Sequence, residues 1–333
     1  MKTCNCSNST SALWRQNPDQ TRPAVRVILQ RVHRFVLLLL LLSAVIPVAF
    51  AAKPTTATLR SPIRLALNDD ELIAVTESAQ QKVLFLDART HSVRGEIKVD
   101  GNPLGVAWGD GVLYVGNDTL ARIEIFGSNR SGKWSLLGTL GDVEQAVPGP
   151  SDIEFDPLSG HVFVLSAGLK TVLVFSAEGN LLSTIGVTQD AAGSLRRPTA
   201  LAVNGLTEEL LVSDYGDPDL AEPPSVKIYS FDGSYLGAIS GDSGQTGYEF
   251  SRPQGLATTD KGEILLVDSL LGQVLVFERS SLLGVTSLGS YGTQPGELRL
   301  PLDVVVDEEG EHVLVTNNRL GRIESFELED DFE

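Results

Sequence analysis

The densest group of residues able to do chemistry is an acidic stretch, Ser213–Ser225, with the sequence SDYGDPDLAEPPS. Its carboxylates belong to Asp214, Asp217, Asp219 and Glu222. Flexible loops rich in carboxylate oxygen suit Ca²⁺, so these four residues are candidate calcium ligands. Their spacing does not match the EF-hand loop. The sequence favours a solvated acidic loop that its prolines stiffen for recognition, with Asp214, Tyr215, Asp217 and Asp219 among the expected partner-binding residues.

Histidine and serine chemistry finds little support in the sequence. Beyond the N-terminal segment there are three histidines, His91, His161 and His312, and they fall in different repeats and do not converge. This disfavours a three-histidine metal site. No G-x-S-x-G nucleophile elbow is present either.

Six similar segments organise the chain, each opening on a proline. They recur with a period of roughly 40 to 50 residues, which indicates a stacked or radial repeat architecture. A short apolar segment follows each proline, then a turn rich in Gly, Asp and Asn, and then two or three further apolar segments typical of strands. The six prolines are Pro62, Pro103, Pro150, Pro198, Pro253 and Pro301.

The last segment lacks a fourth strand, because the chain ends in the acidic sequence ELEDDFE. The strand-like stretch Thr56–Arg60 stands unassigned before the first proline. If it pairs as the fourth strand of the last unit, the two ends of the chain close the ring and leave only short edges. The sequence therefore predicts an all-β, six-bladed β-propeller with four-stranded antiparallel blades.

One linker carries the most specific motif, GDSGQTGYEFSRPQGLATTDKGEILLVDS at Gly241–Ser269. It is echoed by GSYGTQPGELRLPLDVVVDEEGEHVLVTN and more loosely by GSLRRPTALAVN, with an apolar residue three before each proline, namely Leu195, Phe250 and Leu298. This pattern resembles the NHL-repeat family of six-bladed β-propellers over residues 53–328. The resemblance implies the fold and a habit of binding, but no reaction.

The departures from the family pattern concern the second residue after the proline. The resemblance implies glycine there, as at Gly105 and Gly255, but Arg64, Asp152 and Asp303 occupy three of the six positions. The first strand is innermost and starts on the face that carries the loops between second and third strands. These three charged side chains are therefore expected around the mouth of the central channel.

Two interpretations of this charged group remain open. Units one and six are neighbours in a closed ring, so Arg64 and Asp303 could form a structural ion pair. Alternatively, Arg64, Asp152 and Asp303 hold a polar ligand on the axis. Glu154, one step further along its strand, adds another carboxylate where other units carry alanine. A metal-dependent lyase or lactonase-like enzyme, with Asp152, Glu154 and Asp303 as ligands, is the alternative function.

Three tyrosines, Tyr215, Tyr248 and Tyr291, fall in loops or linkers of the same predicted face. Exposed tyrosines are good anchors for protein or glycan contacts. Phe250, by contrast, is expected to be a buried plug of its linker.

The N-terminal residues contain the segments of a secretory signal peptide in the expected order. Arginines, among them Arg31 and Arg34, precede an apolar run over residues 35–52 that ends in Ala49-Phe50-Ala51. We expect residues 1–51 to be a leader and residues 52–333 to be a single propeller, exported to the periplasm or secreted. A membrane anchor formed by residues 35–52 is the alternative. The two cysteines, Cys4 and Cys6, lie in this leader, so the propeller has no disulfides.

The net charge limits the classes of partner that the protein can be expected to bind. The formal net charge is −17, from 43 acidic and 26 basic side chains, and the leader is itself basic. This disfavours nucleic acid and anionic membrane surfaces, leaving the N-terminal segment as the only expected membrane contact. The sequence predicts a monomeric, non-enzymatic scaffold that binds a protein outside the cytoplasm and needs no cofactor, with bound calcium as the alternative.

Overall fold

A computed structural model describes residues 59–141, 146–187, 192–307 and 309–328. These residues form antiparallel sheets arranged as six blades around one axis, which confirms the predicted six-bladed β-propeller. The strands of each blade are called a to d, from the axis outward. The leader predicted for residues 1–51 lies outside the described part of the chain.

Strand a of every blade begins at the repeated proline. Proline has no amide to give to a ladder, so the first position of a strand accommodates it. The a strands are β1 (Pro62–Leu67), β5 (Pro103–Trp108), β9 (Pro150–Asp156), β13 (Pro198–Asn204), β17 (Pro253–Thr258) and β23 (Pro301–Val306).

Strands b and c form the buried middle of each blade, and their apolar side chains pack between neighbouring blades in six core clusters. The b strands are β2 (Leu72–Glu77), β6 (Val112–Asn117), β10 (His161–Ser166), β14 (Glu209–Asp214), β18 (Glu263–Asp268) and β24 (His312–Asn317). The c strands are β3 (Lys82–Asp87), β7 (Arg122–Ser128), β11 (Thr171–Phe175), β15 (Ser225–Ser230), β19 (Gln273–Glu278) and β25 (Arg322–Glu327).

Strand d forms the outer edge of the first five blades, as predicted. These strands are β4 (Val93–Lys98), β8 (Trp134–Leu140), β12 (Leu181–Ile185), β16 (Tyr235–Ser240) and β20 (Gly284–Leu288). The last linker adds a short parallel pair, β21 (Ser290–Tyr291) and β22 (Glu297–Leu298).

In residues 59–328, as far as the structure describes them, helical structure is confined to single turns. These are three 3₁₀ turns, at Ser78–Gln80, Pro218–Leu220 and Asn318–Leu320, and one α-helical turn at Ser243–Thr246. Within the described residues, none of these helices has the length and apolar character needed to cross a membrane.

Blades 1 and 6 meet directly and close the ring. The amide of Leu65 donates to Asp303 Oδ2 at 2.8 Å, and the Thr316 hydroxyl donates to the carbonyl of Ile63 at 3.2 Å. Blade 6 shows strands a to c in the described residues. Of the predicted closing strand Thr56–Arg60, only the last two residues are described, and Leu59 is buried at 7% exposure in the core cluster of blades 1 and 6.

The antiparallel order places all loops between strands b and c, and all linkers between strand d and the next strand a, on one side. We call this side the linker face. The predicted plug residues Leu195, Phe250 and Leu298 are buried under it at 4%, 3% and 0% exposure. The interpretation of Phe250 as a plug is confirmed.

Candidate functional site

An irregularity at the start of strand a shapes the centre of the ring. In every blade the pairing of strands a and b shifts register just after the proline. Such bulges re-aim side chains, and the second residue after the proline lies within this one. The six residues at that position are Arg64, Gly105, Asp152, Ala200, Gly255 and Asp303.

The structure brings together the three charged residues predicted at the axis. Arg64 pairs with Asp303 at 2.9 Å and lies 3.5 Å from a carboxylate oxygen of Asp152. We call these three residues the axial cluster. All three are 4–5% exposed, so they lie beneath the surface and do not ring an open mouth.

Arg64 joins blades that are distant in the sequence. Its guanidinium donates to the carbonyls of Ser151 at 3.0 Å and Leu302 at 3.1 Å, and also to the carbonyl of Thr199. One side chain from blade 1 therefore bonds to blades 3, 4 and 6. This geometry supports the structural ion pair of the two interpretations.

The two aspartates play equivalent roles half a turn apart. Asp152 Oδ2 accepts the amide of Leu201 in blade 4 at 2.9 Å. Asp303 Oδ2 accepts the amide of Leu65 in blade 1 at 2.8 Å. Each aspartate thus fastens its own blade to the next one, and Arg64 lies between the two carboxylates.

Glycine in the preceding blade makes room for each aspartate. A Cβ on Gly105 would lie 2.9 Å from Asp152 Cα, and one on Gly255 would lie 2.5 Å from Asp303 Cα. The family-typical glycines and the atypical aspartates therefore belong to one packing arrangement.

Burial controls the ionisation of these carboxyl groups. It raises the pKa of Asp303 to about 7 although Arg64 opposes the shift, and it raises the pKa of Asp152 in the same way. Glu154 lies two residues further along β9, is half-buried and forms no ion pair with Arg64. Burial, with the charges of Asp152 and Asp303, raises the pKa of Glu154 well above its usual range.

Asp214 does not lie on the surface, contrary to its expected place among the partner-binding residues. It is 0% exposed. Its carboxylate accepts the amides of Arg196 at 2.7 Å, Arg197 at 2.9 Å and Gly216 at 2.8 Å. Asp214 therefore fixes the linker that enters strand a of its own blade.

The same bonding recurs in other blades. At the end of the fifth b strand, Asp268 accepts the amides of Ser251 at 2.7 Å and Arg252 at 3.0 Å. Glu77 accepts two linker amides in blade 1, at 3.0 to 3.2 Å. In these blades, the acidic last residue of strand b holds the linker that precedes strand a.

The insertion Tyr215–Pro224, which we call the blade-4 loop, is held by its own carboxylates. Asp217 accepts the amide of Asp219 at 3.0 Å and caps the 3₁₀ turn Pro218–Leu220. Both Glu222 oxygens accept from Arg196, at 2.7 and 2.8 Å. Asp219 is exposed.

Three of the four predicted calcium ligands, Asp214, Asp217 and Glu222, are thus engaged with the chain. Asp214 is bonded to backbone amides, and Glu222 to an arginine. In the part of the chain that the structure describes, no three His, Cys, Asp or Glu side chains are grouped as a metal site.

The three predicted tyrosines differ in exposure. Tyr291 is 60% exposed, and Arg299 lies over its ring at 5.3 Å. Tyr248 is half-buried and packs edge-on against Phe277 with 6.1 Å between ring centroids. Tyr215 is half-buried, and its hydroxyl accepts a bond from Gln254.

Two exposed arginines on the linker face were not predicted from the sequence. Arg197 and Arg252 immediately precede the fourth and fifth repeated prolines, Pro198 and Pro253. Aligning the repeats on proline reveals them as a basic pair in consecutive blades, which is the signal that could have identified them.

Comparisons with known proteins agree on the fold. No protein-family model matches the chain. A stretch of 125 residues, 38% of this chain, is 27% identical to the human E3 ubiquitin-protein ligase NHLRC1 and spans 28% of that protein's length. The chain therefore matches less than a third of this curated relative.

Two solved structures share the architecture. Hydrazine synthase of Kuenenia stuttgartiensis superposes with a TM-score of 0.58 at 14% identity, over 86% of this chain and 100% of that one. A chain of a nidogen/laminin complex gives a TM-score of 0.52 at 15% identity, over 68% of this chain and 79% of that one. At such identities the likeness shows a common fold and nothing further.

Proposed function

We propose that this chain, a six-bladed β-propeller of the NHL type, is a non-enzymatic scaffold that binds a protein partner outside the cytoplasm through its linker face. The fold, with NHL-like and nidogen/laminin-complex neighbours, fits a protein-interaction scaffold. A closed ring of blades supplies a rigid platform, and its loops supply the contacts.

One observation carries the proposal: the blade-4 loop is long, ordered and projects from the linker face. The corresponding loop of blade 5 is only Ser269–Gly272, between β18 and β19. In the blade-4 loop, backbone bonds of 2.9 and 3.1 Å pair Asp217 with Glu222 across its base. Leu220, at its tip, is 57% exposed.

A loop ordered before binding loses little conformational entropy when a partner docks. Two of its residues, Pro223 and Pro224, have their φ angles fixed by their rings. The Glu222–Arg196 pair ties the loop to the preceding linker at 2.7 and 2.8 Å. An exposed leucine on such a loop is suited to protein contact.

A loop graft tests the proposal. Residues Tyr215–Pro224 are replaced by the Ser-Leu-Leu-Gly loop of blade 5, and the purified domain is cross-linked in an extracytoplasmic extract. We expect the graft to lose the partner that the unmodified domain captures. The matched control is L158D/L206D, which changes exposed leucines in turns on the opposite face. A folded graft that captures the same partner at the same yield would show that the wrong surface has been chosen.

Export is the second part of the proposal and rests on the sequence of residues 1–51. Fractionation of cells that carry a C-terminally tagged chain is expected to place a shortened, monomeric product outside the cytoplasm. Recovery of the full-length chain in the membrane fraction would instead support the anchor at residues 35–52. Recovery in the cytoplasm contradicts both versions.

A further inference from the structure

A groove on the linker face lies between the blade-4 loop and blade 5, with a volume of about 670 Å³. That volume falls within the range of ligand pockets, roughly 300 to 1,000 Å³. The blade-4 loop lines it with Tyr215, Pro218, Pro223 and Pro224, and blade 5 contributes Leu270. The floor and sides are therefore largely apolar and, because of the prolines, stiff.

The charges in this groove are positive. Arg197 and Arg252 line it, and both are exposed. The lining contains one carboxylate, that of Glu222, and both of its oxygens are occupied by Arg196 at 2.7 and 2.8 Å. Among the described residues, neither lining arginine forms an ion pair.

Both arginines are held in place through their backbones. The amide of Arg197 donates to Asp214 at 2.9 Å, and the amide of Arg252 donates to Asp268 at 3.0 Å. Arg197 Nε also donates to the carbonyl of Gly216 at 2.9 Å. These backbone bonds thus fix the base of each arginine side chain, and N–H donors of both guanidinium groups remain available to a ligand.

In the part of the chain that the structure describes, Arg197 and Arg252 keep an uncompensated positive charge, although the whole chain has 43 acidic and 26 basic residues. Other arginines, such as Arg196 and Arg279, are paired with a carboxylate, so they leave no free positive charge. Arginine presents a planar fork of donors that matches a carboxylate. The groove therefore complements a negative charge next to an apolar side chain.

We propose that the groove binds an acidic peptide segment of the protein partner, with an Asp or Glu side chain at Arg197 and Arg252 and a neighbouring apolar side chain against Tyr215 and the prolines. This inference rests on the proposed function, because it names the contact that the linker face makes.

The test uses short synthetic fluorescent peptides of three matched sets, with Asp and Glu, with Asn and Gln, or with Lys placed between Leu, Phe and Pro. Fluorescence polarisation with the whole domain is expected to show binding of the acidic set only. Added salt weakens it, because exposed charges are screened.

Arg252→Glu is the decisive variant, since Arg252 forms no ion pair among the described residues and the substitution reverses its charge. We expect affinity for acidic peptides to fall by at least roughly tenfold, with new binding of the lysine set. Arg319→Glu is the control, because Arg319 is exposed on another loop of the same face. Leu270→Asp should also weaken binding, whereas Leu169→Asp, at the corresponding loop of blade 3, should not.

Equal binding of the acidic and amide sets, or equal effects of the two arginine substitutions, overturns the inference. Arg252-dependent binding of a single-stranded oligonucleotide that displaces the peptides overturns it as well. Failure of the inference differs from failure of the proposed function. If the loop graft abolishes partner capture but Arg252→Glu does not, the linker face is correct and the acidic peptide is wrong.

Discussion

Replacing Arg64 by methionine decides what the axial cluster does. The change removes the ion pairs to Asp303 at 2.9 Å and to Asp152 at 3.5 Å, together with hydrogen bonds to three carbonyl groups. It leaves two buried carboxylates without a cation. Removing one partner of a buried charged group costs about 3–5 kcal/mol in free energy of unfolding. At about 2–4 °C per kcal/mol for a chain near this size, Tm should fall by about 6–20 °C.

The loss should depend on pH in a defined direction. Burial raises the pKa of Asp303 from 3.8 to about 7 in the folded protein. Between these values the folded state holds a proton that the unfolded state has released, so stability falls as pH rises through this window. Without Arg64 the pKa of Asp303 rises further. The deficit of Arg64→Met should therefore be larger at pH 8 than at pH 5.

Thermal unfolding followed by circular dichroism at both pH values measures this, with Arg64→Met/Asp152→Asn/Asp303→Asn as the matched variant. Neutralising the aspartates removes the uncompensated charge, so the triple variant should recover most of the lost stability. A single variant that melts within about 2 °C of the unmodified domain at pH 8 would refute the structural role, given the expected range. The axial ligand would then be the better interpretation.

Three further outcomes are expected. Gly255→Ala places a Cβ 2.5 Å from Asp303 Cα and should lower the free energy of unfolding in urea by about 1–3 kcal/mol. Gly138→Ala is the control, because nothing lies within 4 Å of its Cβ, and it should change the free energy by less than about 0.5 kcal/mol. Equal effects of the two substitutions would contradict the packing argument. Glu154→Gln should raise Tm at pH 8 and leave it unchanged near pH 4, because the raised pKa of Glu154 makes the ionised, high-pH form costly in the folded state; a lower Tm at pH 8 would show that the carboxylate is needed. Millimolar calcium should shift Tm by less than about 1 °C, since a ligand of the folded state that saturates its site raises stability; a larger shift, lost on replacing the acids of the blade-4 loop, would establish a calcium site.

The repeats could be predicted from the sequence because proline and apolar strands fix both the start and the register of each blade. Every strand expected in the first five blades is present, from β1 to β20. The pairing of Arg64 with Asp303 is one of the two interpretations that the sequence offers, since ring closure makes the first and last blades neighbours.

The role of Asp214 could not be read from its local sequence. It opens an acidic, proline-rich stretch, a composition typical of solvated loops, yet it is the last residue of a b strand and 0% exposed. Only the repeat alignment, which places Asp214 with Glu77 and Asp268 at the same register, indicates a structural role. Composition describes a segment, whereas burial is decided residue by residue.

The groove that contains Arg197 and Arg252 could not be predicted from the sequence for a different reason. Each arginine is an ordinary linker residue by itself, and their common groove arises from two blades brought side by side by the ring. Its apolar part comes from an insertion in a single blade. Such a site depends on tertiary contact between repeats, which period and propensity do not specify.

The order in which the chain is synthesised also limits when the ring can close. Arg64 and its partner Asp303 are 239 residues apart, so at about 5–20 residues per second a ribosome needs roughly 10 to 50 s to deliver the second after the first. Through that interval, Arg64 lacks Asp303, and blade 1 lacks its neighbour in blade 6. The ring of the nascent chain therefore cannot close until the last blade emerges. If the chain is exported during or soon after synthesis, it is still competent for translocation through a membrane channel at that time.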